Sequence, residues 1–110
     1  MIRFAAIFVV VIWTVGSAWA GYLEDGKAAA KEGDYNEAVE AYTNAIRSGT
    51  LQRLDLSSAF LLRADAFQNL EDFESALEDY ESALRLRPDS ALDFVRRARA
   101  YYRMHEYDSA

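Results

Sequence analysis

Small, aromatic and charged positions alternate along residues 21–110 with the spacing of amphipathic helices rather than strands. Residues 33–46, GDYNEAVEAYTNAI, align without a gap on residues 71–84, EDFESALEDYESAL, 38 positions further on. HEYDSA at 105–110 opens a third copy, 34 positions after the second, and residues 94–103 match 60–69 at that same distance. The matching columns hold either a small residue (Gly26, Ala64, Ala98; Ala38, Ala76, Ala110; Ala45, Ala83) or an aromatic one (Tyr35, Phe73, Tyr107; Tyr42, Tyr80). Such a pattern predicts pairs of helices, for example 56–70 with 73–86, whose backbones approach at Ala64 and Ala76 while Phe67, Phe73 and Tyr80 fill the space around them. One pair leaves a face that only a stacked neighbour can cover.

Breakers fall where the helices should end. Gly33 suits a C-terminus that needs positive φ, and Pro88 follows a helix ending near Arg87, with Asp89 or Ser90 as the next cap. Four extra residues separate units one and two. Gly49 ends the helix containing Ile46, Asp55 or Ser57 caps the next, and Leu51, Leu54 and Leu56 are expected to fold the connector back on the stack.

The pattern of Ala98, Tyr101, Tyr107 and Ala110, with Ala76, Tyr80, Ala83 and Pro88 in the preceding unit, resembles the tetratricopeptide repeat, whose small, aromatic and proline positions recur every 34 residues. The resemblance spans about residues 19–110. It implies an all-α fold, an α-solenoid of antiparallel helix hairpins with about two and a half repeats: unit one over 21–52 with its longer connector, unit two over 57–90, and a partial third over 91–110, truncated at the start of its second helix. An open apolar face over 94–104 is expected, to be covered by further repeats, a partner or self-association. Arg63 and Arg97 depart from the usual apolar residue before the small column. They resemble a variant in which an acid on the second helix accompanies the arginine, and Asp79 is the candidate partner of Arg63. Unit one, with Asp25 and Ala41 in those columns, lacks the pair.

The first twenty residues follow different rules. Sixteen of them are apolar, Arg3 is their one charge, and the run 4–15 gives way to GSAWA. This is the layout of a secretory signal peptide cut between Ala20 and Gly21, and the run is shorter than the ~20 residues a spanning helix needs. The chain is therefore expected to be exported, to the periplasm or outside the cell, as the bacterial exported type; an uncleaved leader would instead tether it to a membrane.

Composition narrows the chemistry. The 110 residues contain 12 basic and 18 acidic side chains and no cysteine, which excludes disulfides and thiol chemistry and argues against nucleic acid as a partner. No nucleophile with a base, phosphate-cradling glycine loop or metal constellation is apparent, so no enzyme activity, cofactor, metal or small-molecule substrate is expected. His105, the one histidine, is expected in the polar turn before Tyr107. Acidic runs such as Glu71-Asp72 and Glu78-Asp79 read as a solvated outer face.

Repeats resembling these bind peptides or protein surfaces in the concave groove lined by the first helix of each unit. That implies a non-catalytic scaffold or adaptor, with Lys27, Lys31, Leu61, Asp65, Gln68, Asn69, Arg99, Tyr102 and Arg103 in the groove. The basic members would favour an acidic segment, Tyr102 offering a stacking surface. The alternatives are an N-terminal module of a longer exported enzyme or a membrane-tethered envelope assembly factor.

Overall fold

In a computed structural model the described residues are 18–109, with side chains from Gly21 onward. The expected leader, except for the backbone of 18–20, and the small-column Ala110 lie outside them. Five helices follow in chain order: α1 (Ala18–Lys31), α2 (Tyr35–Arg47), α3 (Arg53–Asn69), α4 (Phe73–Leu86) and α5 (Ala91–Ser109). Each packs on the next, and α1 also touches α3, as in an all-α repeat solenoid.

The turns inside the first two hairpins close alike. Gly33 has φ +83°, and the N–H groups of Gly33 and Asp34 donate to the Ala30 and Ala29 carbonyls at 3.1 and 2.8 Å. Glu71, in the same column, also has positive φ (62°), with Glu71 and Asp72 donating to Gln68 and Phe67 at 3.0 and 2.9 Å. Both are the left-handed closure that satisfies terminal carbonyls. The Asp72 carboxylate then accepts from the Ser75 N–H to cap α4, and Ser90 Oγ accepts from the Asp93 N–H at the start of α5.

Two local expectations are corrected. His105 lies inside α5, not in a turn: the helix runs on to Ser109 and carries Tyr107 to the ring of Phe73, centroids 5.9 Å apart and edge-on. Helix α3 begins at Arg53, so neither Asp55 nor Ser57 caps it. Ser57, fully buried, donates instead to the Ala83 carbonyl, and Arg53 Nε to that of Leu86 at 2.7 Å, so the start of α3 satisfies carbonyls at the end of α4. This earlier start turns Leu54 to solvent, whereas Leu51 packs on the core as expected.

The core has two parts of the same design, several small residues around one tyrosine. Leu23, Ala29, Ala38, Tyr42, Ala45, Ala59 and Ala66 form the first. Leu61, Ala64, Ala76, Tyr80, Ala83 and Ala100 form the second. Because α3 contributes to both with opposite sides, it has no single apolar stripe.

Small columns permit the close approach, and Gly26 shows how close. A Cβ there would stand 2.6 Å from Cδ1 and 2.9 Å from Cζ of Tyr42, whose ring is itself buried. Overpacking of this kind costs about 1–3 kcal/mol, against a gain of about 1 kcal/mol in helix propensity. Gly26→Ala is therefore expected to destabilise the chain by about 1 kcal/mol; an unchanged or raised melting temperature by circular dichroism would contradict this.

Candidate partner-binding face

The first helices of the three units place their residues in register on one face. Lys27, Asp65 and Arg99 share a column, as do Ala30, Gln68 and Tyr102, and Lys31, Asn69 and Arg103. The structure gives these residues unequal roles. Leu61 is buried and belongs to the second core rather than to the surface. Lys27 is exposed and pairs with Glu24 at 3.3 Å, a surface contact of little energetic weight. Lys31, Asn69, Arg99 and Tyr102 are exposed. The neighbouring Glu106 carboxylate raises the Tyr102 pKa.

Asp65, Gln68 and Arg103 are tied into the fold. Tyr80 donates its hydroxyl to Asp65 Oδ1 at 2.5 Å, and Arg96 pairs with Oδ2 at 3.4 Å. Gln68 donates its amide to the Tyr80 oxygen at 3.4 Å and accepts from Arg103 Nη1 at 2.8 Å. The Arg103 guanidinium also lies over the ring of Phe73, 5.6 Å from its centroid. One network thus joins α3, α4 and α5 beneath the face. Burial first, then the bond to Asp65 and its charge, push the Tyr80 pKa far above the ordinary 10.0, while Arg96 and Arg99 oppose the shift. Tyr42 is shifted upward too, by burial and then by the charges of Asp65 and Glu24.

The repeat columns put Asp65 and Gln68 in the groove but do not show what holds them, which is Tyr80 of the core together with Arg96. A signal was available: unit one has Lys27 and Tyr42 in the columns of Asp65 and Tyr80, so the phenol gains its acceptor only in unit two.

On the other side of the hairpins, Arg63 and Asp79 form the expected pair, and it is bidentate: Nε to Oδ2 at 2.7 Å and Nη2 to Oδ1 at 2.8 Å. The third guanidinium nitrogen, Nη1, donates to Thr43 Oγ1 of α2 at 3.1 Å, and the rings of Phe60 and Phe67 flank the cation at 5.7 and 5.8 Å. Asp79 is 5% exposed. In unit one the columns of Arg63, Phe67 and Asp79 hold Asp25, Ala29 and Ala41. Where unit two is filled, unit one has a hollow of about 610 Å³ between α1 and α2, edged by the carboxylates of Asp25, Glu32, Asp34, Glu37 and Glu40.

Among the described residues there is no group of three metal-ligating side chains, and no helix is long and apolar enough to cross a membrane. A family model described as tetratricopeptide repeat matches residues 23–91 and again 61–110. Comparison with curated proteins gives no match.

Proposed function

The chain belongs to the tetratricopeptide repeat family, whose repeats mediate protein–protein interaction, and on that premise we propose that it is a non-catalytic exported adaptor binding an acidic segment across its first-helix face. The observation that carries the reading is the state of that face. Lys31, Arg99 and Tyr102 are exposed, while the carboxylate between them, Asp65, is held by Tyr80 and Arg96. A segment crossing it would meet free cations at both ends and a partly neutralised centre. Export rests on the leader-like composition of residues 1–20, and the periplasm or the extracellular space is the proposed location.

A fluorescently labelled peptide of alternating glutamate and alanine is the probe. Anisotropy titrations should give saturable, salt-sensitive binding that Lys31→Glu with Arg99→Glu weakens about tenfold or more, the size expected when two charge contacts are reversed. Arg103 is left intact because it holds Gln68. Equal affinity of the double variant and the unaltered chain would refute the acidic-segment reading.

A further inference from the structure

Two surfaces, one on the first hairpin and one on the last helix, carry opposite charge around a small residue. On α5, Phe94, Arg97, Ala98 and Tyr101 form a stripe at i, i+3, i+4 and i+7, exposed except for the half-buried Arg97, whose guanidinium lies 5.4 Å above the Phe94 ring. It repeats, 34 residues on, the stripe Phe60, Arg63, Ala64 and Phe67 of α3. The α3 stripe is covered by α4, which supplies Ala76 at the close contact and Asp79 to the arginine. The α5 stripe has the same aromatic frame, small centre and guanidinium, without such a cover among the described residues.

The hollow of unit one offers what α4 offers α3. Along α2, Glu37, Glu40, Ala41 and Asn44 fall at the same i, i+3, i+4, i+7 spacing, again with a small residue at the centre, and Asp25 of α1 faces them across the hollow. An alanine between carboxylates is the chemical counterpart of an alanine beside an arginine. Small residues on both helices allow ridge-into-groove contact, and the signs of charge agree with pairing in only one sense.

We propose that the chain self-associates head to tail, α5 of one copy seating in the α1–α2 hollow of the next, with Ala98 against Ala41 and Arg97 entering between Asp25 and Glu40. The two surfaces differ, so each copy that uses one keeps the other free, and the contact propagates instead of closing a symmetric dimer. It leaves the acidic-segment face alone: Arg99 and Tyr102 lie about a third of a turn around α5 from the stripe.

Sedimentation velocity on the full chain tests this. Weight-average mass should rise with concentration and fall with salt. Two variants at exposed positions break one surface each: Ala98→Tyr fills the small centre of the stripe, and Glu37→Lys with Glu40→Lys reverses the hollow. Each alone should weaken association about tenfold or more. Mixed in equal amounts they should form a one-to-one dimer that stops there, because Ala98→Tyr keeps its hollow and the lysine variant keeps its stripe. Circular dichroism confirms that both remain folded. A chain that stays monomeric to about 1 mM, variants that associate as the parent does, or a mixture no heavier than its components would each overturn the proposal.

Discussion

Asp79→Asn is expected to cost about 3 kcal/mol of folding stability, whereas Glu78→Gln next to it should cost less than about 0.5 kcal/mol. Asp79 is buried and accepts two parallel bonds from Arg63, so the substitution leaves a cation that is 19% exposed facing an amide that cannot neutralise it. Thr43 and the rings of Phe60 and Phe67 remain around the guanidinium, but none of them carries charge. Glu78 lies on the exposed side of α4, where losing a charge is nearly neutral. In a domain of this size the Asp79 change corresponds to a fall of roughly 10–20 °C in melting temperature. Equal shifts for the two variants would remove the pair from the account of stability.

The second large effect is expected at Tyr80. Removing its hydroxyl breaks a short bond to a carboxylate and strips Gln68 of an acceptor, so Tyr80→Phe should cost about 2 kcal/mol. The matching change in unit one, Tyr42→Phe, should cost less than about 0.5 kcal/mol, because Lys27 stands where Asp65 would have to be. Alkaline denaturation separates the two further. A phenol whose pKa is raised on folding contributes stability that is fully present below its unfolded pKa, about 10, and is lost as pH climbs above it. The parent chain should therefore lose stability steeply above pH 10, and Tyr80→Phe should flatten that loss, leaving the parts that belong to Tyr42 and Tyr102. Parallel curves for parent and variant would show that Tyr80 is not the titrating group.

The helix hairpins were legible because close packing leaves a strict signature: Ala38, Ala45, Ala64, Ala76 and Ala83 are fully buried, and few other residues fit at their positions. The Arg63–Asp79 pair was legible through the resemblance to the repeat variant in which an acid on the second helix accompanies the arginine. The start of α3 was not, because what begins it is the neighbouring helix. Ser57 and Arg53 bond carbonyls of α4 some thirty residues away, which no local cap preference reveals. The continuation of α5 through His105 was hidden in the same way. Repetition predicts a turn, because Glu71 in the same column turns without a glycine, whereas α5 runs on and sets the Tyr107 ring edge-on to that of Phe73, a contact between helices that no local pattern shows. For the face, column positions identified which side chains share a surface, while the bonds that immobilise Asp65, Gln68 and Arg103 arise from residues on other helices.

Arg63 stands in α3, yet its bonds reach α4 through Asp79 and α2 through Thr43. A stack of repeats is commonly described by an intrinsic energy for each unit and a junction energy between neighbours, and most side chains enter one or the other. This guanidinium enters both. Opening the second hairpin takes away its carboxylate and loosens the hold on unit one, and separating the units removes a donor's partner from the second hairpin. Fraying from either end should thereby be coupled to the middle of the chain, and the two units are expected to share one cooperative transition instead of melting in turn.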